Sequence, residues 1–256
     1  MKLSESVKTI SGYNPSPFTL NGTNCFIIGT GKTKILIDTG EGVPEFIRDL
    51  QQEVPEIECV IITHNHKDHI GGIGKLLEIY GEVPIFKHCL EGEEGSYINV
   101  NDGDIFETEG AFLRVIETPG HSDDSISLYF EEENSIFTGD IILGTGSTFL
   151  SNYTKYLQSM EKLLGLNPDY LYTAHGEAKV PGSKIREDLT HRENRENQVI
   201  EALCQEMDIK EIVKKVYGQI DSKLAVVAEG NTKLYLENLM SKGKVAVNDE
   251  KWMKIV

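Results

Sequence analysis

Within six residues, His64, His66, Asp68 and His69 offer three imidazoles and one carboxylate. Imidazole nitrogen with carboxylate oxygen is a donor set that borderline divalent ions such as zinc take readily. The chain has seven histidines, and three of them fall in the stretch Thr63 to Gly72, more than a solvated polar loop needs. His64 and His66 alternate, so in an extended backbone they point the same way and could grip one ion. Asp68 and His69 come next and could face a second ion beside it. Further donors lie far along the chain, each beside a glycine: His121 after Gly120, Asp140 after Gly139 and His175 before Gly176. Taken singly, His121 and His175 read as turn residues and Asp140 as a cap. Taken with the 64–69 segment, one shared centre accounts for them all. One ion could take His64, His66 and His121, the other Asp68, His69 and His175, with the two oxygens of Asp140 bridging. That leaves a position open for water, the mark of a catalytic rather than a structural site.

These donors need strands that end at a common edge. Cys59-Val60-Ile61-Ile62 is a buried strand leading into the histidine segment, which lacks helical periodicity and reads as a loop. Before it, Asn24–Gly29 and Lys34–Ile37 form a hairpin about Thr30-Gly31-Lys32. The hairpin ends at Asp38, whose residue reading is a turn-forming cap. Helical spacing marks Val43–Leu50, Ile73–Tyr80 (opened by Gly71-Gly72 and stopped by Gly81) and Tyr153–Leu166. Strands are expected at Val83–Lys87, Asp104–Glu107, Ala111–Glu117, Ile126–Phe130, Ser135–Thr138 and Pro168–Thr173. Thr118-Pro119-Gly120-His121, Phe137-Thr138-Gly139-Asp140 and Tyr172-Thr173-Ala174-His175 each put one donor at a strand end. Two packed sheets with helices outside fit this order better than a doubly wound sheet, because hairpins are frequent.

The 256 residues are 39% hydrophobic with one tryptophan, enough for an ordinary core. No apolar run reaches the roughly 20 residues that span a bilayer, so no membrane insertion is expected. The N-terminus has no apolar core or Arg-rich amphipathic pattern, which predicts a cytoplasmic protein; a mitochondrial location would lack its usual transit signal. Cys25, Cys59, Cys89 and Cys204 show no C-x-x-C spacing, and three lie in or beside apolar runs, which reads as reduced core thiols. The net charge is −16. Residues 1–190 carry 14 basic against 30 acidic side chains, whereas residues 191–256 carry 11 of each. That balance opposes a broad polyanion-binding surface unless bound cations offset it.

Asp38, His64-x-His66-x-Asp68-His69, His121, Asp140 and His175, in this order, resemble the five motifs of the metallo-β-lactamase superfamily over residues 20–185. The resemblance implies an α+β fold, a four-layer αβ/βα sandwich with two divalent ions, zinc by preference, at one edge. It also implies that Asp38 orients the ligand segment from behind it. A bridging Asp140 with no cysteine ligand resembles the hydrolase branches, glyoxalase-II-type thioesterases and nucleases, rather than the antibiotic-degrading enzymes. Gly22-Thr23-Asn24, His121-Ser122-Asp123-Asp124, Gly139–Gly144 and His191-Arg192-x-x-Arg195-Glu196-x-Gln198 resemble more closely the lactamase-β-like endoribonucleases, whose animal members are mitochondrial and cut single-stranded RNA. The resemblance divides the chain into a hydrolase domain, residues 1–188, and a winged-helix-like domain, residues 189–256. The second would hold helices at Glu193–Met207, Ile209–Tyr217 and Thr232–Met240 and wing strands at Lys244–Val247 and Trp252–Lys254.

The expected chemistry is hydrolysis by a water that two cations share and acidify, with Asp68 both ligating and holding the nucleophile's proton. An endoribonuclease acting on single-stranded RNA would draw Lys67, Arg192 and Arg195 to the substrate. A thioesterase or small-ester hydrolase fits the acidic surface better. A non-enzymatic RNA-binding or scaffold protein is the third reading, disfavoured by a complete ligand set. Zero net charge in the tail argues for a lid or a homodimer element rather than DNA binding. His88 reads as packing or surface, and His191 as a cap or a cleft residue.

Overall fold

The computed structural model describes residues 1–92 and 96–255. Strands β1 (Val7–Ser11), β2 (Asn24–Ile28), β3 (Thr33–Ile37), β4 (Glu56–Ile62), β5 (Ile85–Lys87) and β6 (Ile98–Asn99) form one sheet in chain order. Helix α1 (Pro44–Glu53), the single turn α2 (Lys67–Ile70) and α3 (Ile73–Tyr80) belong to this half. The second sheet runs β12 (Lys179–Pro181), β11 (Tyr170–Tyr172), β10 (Ser135–Phe137), β9 (Ile126–Phe130), β8 (Ala111–Glu117), β7 (Ile105–Thr108). Helix α4 (Tyr153–Gly165) connects β10 to β11.

Side-chain alternation along the strands makes the layers. Phe26, Ile28, Ile35, Ile37 and Ile61 face Leu113, Val115, Leu128, Phe130 and Phe137 between the sheets. The intervening residues Ile27, Leu36, Val60 and Ile62 face outward and are covered by Phe46 and Leu50 of α1 and Leu76 of α3. On the far side, Ile116, Ile136 and Leu171 pack under Tyr156, Met160 and Leu163 of α4. Each such fully buried side chain contributes roughly 1.5–3 kcal/mol, so the order helix, sheet, sheet, helix is set by where the strands put their apolar residues.

The C-terminal part consists of α5 (Lys184–Ala202), α6 (Ile209–Tyr217), α7 (Ser222–Ser241) and the wing β13 (Val245–Asn248) and β14 (Lys251–Lys254). Asp208 and Glu211 close a capping box on α6. Two helices start earlier than expected. α5 begins at Lys184 rather than Glu193, because its buried face alternates Ile185 and Val199 with Asp188, Arg192 and Glu196, and those charges hide the apolar stripe. It therefore passes unbroken through the 188/189 boundary. α7 begins at Ser222 rather than Thr232. β1, β6 and β12 lie where no strand was expected. Of the cysteines, Cys25 and Cys59 are buried, Cys89 is partly exposed and Cys204 is exposed, so two rather than three are core thiols. Among the described residues no helix is long and apolar enough to cross a membrane.

Candidate active site

Strand direction gathers the donors. β3 and β4 are parallel, so Asp38 just past β3 lies beside Thr63 just past β4. β10 and β11 are parallel as well, which sets Asp140 beside His175. β8 reaches β10 through two antiparallel pairings, so His121 leaves at the same edge. The two sheets are joined there by Asn24 N donating to Ala174 O at 2.6 Å and Ile126 N donating to Thr63 O at 2.9 Å. The 64–69 segment is not a plain loop. His64 and His66 precede any helix, His66 with an extended backbone, but Asp68 and His69 ride on the turn α2, which swings them away from the first pair. Gly72 lets this segment lie against the β3 exit, since a Cβ there would stand 2.1 Å from Thr39 O.

His64 Nε2 and His121 Nε2 each lie 2.9 Å from His66 Nδ1. Asp140 Oδ2 faces this trio, 3.6 Å from His121 Nε2 and 3.9 Å from His64 Nε2. Its other oxygen, Oδ1, is 3.2 Å from His175 Nε2 and 3.4 Å from His69 Nε2. Asp68 Oδ2 is 3.1 and 3.4 Å from the same two nitrogens. The donors thus form two groups, His64, His66, His121 and Asp140, and Asp68, His69 and His175, either able to hold a metal ion.

The chemistry of these atoms fits cations. Carboxylate and carbonyl oxygens only accept, so His69 Nδ1, 2.8 Å from Asp38 Oδ2, and His121 Nδ1, 2.9 Å from Phe149 O, carry protons. That leaves each Nε2 as the nitrogen that ligates or titrates. His66 Nδ1 has at most one proton to offer the two Nε2 atoms against it. His69 Nε2 and Asp140 Oδ1 are buried without a hydrogen-bond partner, an arrangement that costs about 1–3 kcal/mol per group unless something pairs with them. Burial, with the neighbouring His69, holds His64 well below the usual imidazole range, and burial lowers His121 as well. Burial also works against charge on His69 and His175. The carboxylates outweigh it: Asp38 and Asp140 push His69 well up, and Asp140 with Asp68 raises His175 to about 9. Asp140 is buried and Asp68 half-buried, and burial works against their charge, yet both are held well below the carboxylate range by His175 and His69.

Asp38 supports this centre from behind. Its left-handed backbone (φ 62°) turns the carboxylate to accept from Thr63 N at 2.8 Å, Thr63 Oγ1 at 2.9 Å and His69 Nδ1 at 2.8 Å. Thr23 Oγ1 donates to Asp68 Oδ2 at 3.2 Å. Thr63, Thr148 and Phe149 hold imidazoles through a hydroxyl or a carbonyl, contacts with no signature in residue type or spacing. Above the donors lies a cavity of about 650 Å³, floored by His66, Asp68, His121, Asp140 and His175 and walled by Phe18, Leu20, Leu143, Phe149, Leu224 and Val227. Leu224 and Val227 come from α7, so the C-terminal part supplies one wall.

The expected cationic contacts lie elsewhere. Arg192 is 2% exposed, with Nη1 on Tyr235 Oη and Nη2 on Thr148 O, so it cannot meet a ligand. Arg195, three residues on along the same helix, makes different contacts. It lies over the Tyr217 ring and reaches Val216 O, between α5 and α6. Lys67 is exposed, 3.4 Å from Glu41, and does not line the cavity. His88 donates its Nδ1 proton to Val100 O, and His191 is exposed on the middle of α5, neither cap nor cleft.

Residues 18–175 match the metallo-beta-lactamase superfamily and residues 209–252 the beta-lactamase associated winged helix domain. The chain is similar to a beta-lactamase-like protein 2 homolog of Caenorhabditis elegans, 39% identical over 95% of this chain and 87% of the relative. It is also similar to an atrochrysone carboxyl ACP thioesterase of Claviceps purpurea, 36% identical over 85% of this chain and 74% of that one. A beta-lactamase domain protein from Burkholderia ambifaria superposes with a TM-score of 0.85 over 100% of this chain and 93% of its own, at 19% identity, a likeness of fold alone.

Proposed function

The chain belongs to the metallo-beta-lactamase superfamily and carries its associated winged helix domain, and from that premise we propose a dinuclear zinc hydrolase acting on esters or thioesters with an apolar acyl group. The observation that carries the reading is the cavity wall. Phe18, Leu20, Leu143, Phe149, Leu224 and Val227 dominate it, with Thr19, Thr145, Ser147 and Thr148 between them, and among the described residues no lysine or arginine lines it. The chain around it carries −16. A polyanion pays heavily to approach such a surface, whereas an acyl group gains by leaving water. The thioesterase among the relatives supports the same substrate class.

Held by His64, His66, His121 and Asp140 on one side and by Asp68, His69, His175 and Asp140 on the other, two divalent ions would supply Lewis acidity towards water and the scissile carbonyl. The protein's own residues do the rest. Asp38 and the Phe149 carbonyl keep the Nδ1 protons of His69 and His121 outward, so that both Nε2 atoms stay available. Asp68 lines the floor of the cavity with its Oδ2 steadied by the Thr23 hydroxyl, which places it to take the proton of the attacking water. Phe18, Phe149, Leu224 and Val227 exclude solvent from the acyl arm.

A second reading, an endoribonuclease acting on single-stranded RNA, draws on one feature. Phe18 and Phe149 are 57% and 43% exposed beside the donors and could stack on unpaired bases. The zinc-loaded chain is to be incubated with an octanoyl thioester, with S-lactoylglutathione and with labelled single-stranded RNA, each with and without chelator. Chelator-sensitive thioester hydrolysis is the expected result. RNA cleavage without thioester hydrolysis replaces the first reading by the second, and no turnover of any of them leaves the non-enzymatic scaffold.

A further inference from the structure

Arg192 is a charged side chain wholly inside the protein, and the hydrolytic reading gives it no task. Among the described residues it forms no ion pair. Its guanidinium lies 5.2 Å from the Tyr156 ring centroid, donates to Tyr235 Oη at 2.9 Å and to Thr148 O at 2.6 Å. Burying a guanidinium is expensive unless its donors are used, and here the closest contact goes to the backbone of a short irregular strap, residues 148–150. Asn231 of α7 holds the same strap: its Oδ1 accepts from Leu150 N at 3.2 Å. Gly230 lets α7 come close, since a Cβ there would stand 3.2 Å from Phe149 Cε2. Just beyond the strap, Ser151 N and Asn152 N donate to Gly120 O at 2.8 and 3.1 Å.

The strap's inner side bears on the metal centre. His121 Nδ1 lies 2.9 Å from Phe149 O and 2.9 Å from Thr148 Oγ1, while the Thr148 hydroxyl donates to Phe149 O at 3.1 Å. These two oxygens are the acceptors that set the tilt of the His121 ring and the direction of its Nε2. A chain of direct contacts therefore runs from α5 and α7 through residues 148–150 to one donor of one metal group.

We propose that Arg192 and Asn231 are positioning residues: by pinning the 148–150 strap they aim His121 Nε2, so the C-terminal helices tune the His64–His66–His121 end of the centre. The inference rests on the dinuclear reading but not on the substrate. Orienting partners of this kind change metal affinity by about 10–100-fold.

The test titrates the metal-free full-length chain with cobalt(II) and follows the visible ligand-field absorption. Wild type is expected to take up two cobalt ions. Arg192→Met and Asn231→Ala should weaken one of them tenfold or more, with a spectral change in the same direction as that of His121→Ala, and leave the other ion within threefold of wild type. Leu239→Ala opens a cavity in the same helix without touching the strap, and should lower the melting temperature while keeping both ions. Wild-type cobalt binding by both Arg192→Met and Asn231→Ala overturns the inference, as does an equal loss in Leu239→Ala. If Arg192→Met does not fold, Asn231→Ala decides alone. A wild-type chain that takes up no cobalt overturns this inference together with the dinuclear reading, and is told apart from the other failures by the wild-type titration itself.

Discussion

Replacing Asp38 by asparagine should disable one metal position and spare the other. Asparagine tolerates the left-handed backbone at 38, and its carbonyl oxygen can keep the bond from Thr63 N, now 2.8 Å. The amide nitrogen then occupies the place of Oδ2, which accepts from Thr63 Oγ1 at 2.9 Å and from His69 Nδ1 at 2.8 Å. The threonine hydroxyl can turn and accept instead. The imidazole cannot, because an N–H would face an N–H, so His69 moves its proton to Nε2 and presents a donor where a ligand is wanted. A hydrogen bond to a charged group is worth about 1.5–3 kcal/mol, and at about 1.4 kcal/mol per tenfold this is roughly a 10- to 100-fold loss of affinity. The loss should fall on the Asp68–His69–His175 position, while the His64–His66–His121 position stays within a few-fold of wild type. Competition for zinc against a chromogenic chelator measures both constants. Two native affinities in Asp38→Asn would refute the tautomer argument, and equal losses at both positions would show that Asp38 acts only as general scaffold.

Asp68→Ala should lower turnover by about 10²–10⁴, the usual worth of a positioned proton acceptor, while zinc content measured after dialysis falls only modestly; near-native turnover would refute the assignment. Lys87→Met strands Asp124, since Lys87 Nζ and Asp124 Oδ2 form a buried pair at 2.7 Å. The cost should be about 3–5 kcal/mol in urea unfolding, and Lys87→Met with Asp124→Leu should recover part of it. His175 is raised to about 9 in the metal-free chain by Asp140 and Asp68. A raised folded value stabilises below the unfolded one, about 6.5, and that stability fades as pH climbs through about 9. Melting temperature with chelator should therefore drop across that window; a flat profile contradicts it. Iodoacetamide at neutral pH should label Cys204 before Cys59: Lys215 Nζ at 3.0 Å lowers the exposed Cys204 thiol, whereas burial pushes Cys59 to about 12. Peptide mass spectrometry reads the order.

The donors were legible in the sequence because three of the seven histidines crowd into one segment and the distant donors stand beside glycines at strand exits, and because an apolar run or alternation announces a strand and apolar residues three to four apart a helix. Ala111–Glu117, Ile126–Phe130 and Ile73–Tyr80 follow from that local rule alone. β1, β6 and β12 escaped it: β6 is two exposed residues and β12 is three residues ending in proline, too short to show a period. β1 takes its place from its pairing with β2. Arg192 shows what composition cannot decide. An arginine near a cluster of ligands reads as a hand for substrate, and only the packing of α5 against α4 and α7 turned it inward onto Tyr235 and Thr148. The same holds for Thr63, Thr148 and the Phe149 carbonyl, whose roles depend on backbone and hydroxyl atoms that every sequence possesses. Residue type determined which atoms this chain can bring to a cation. Parallel strand pairing, the turn of α2 and the closure of α7 decided where those atoms point and what wall stands above them, because direction and enclosure arise from contacts between segments far apart in the chain.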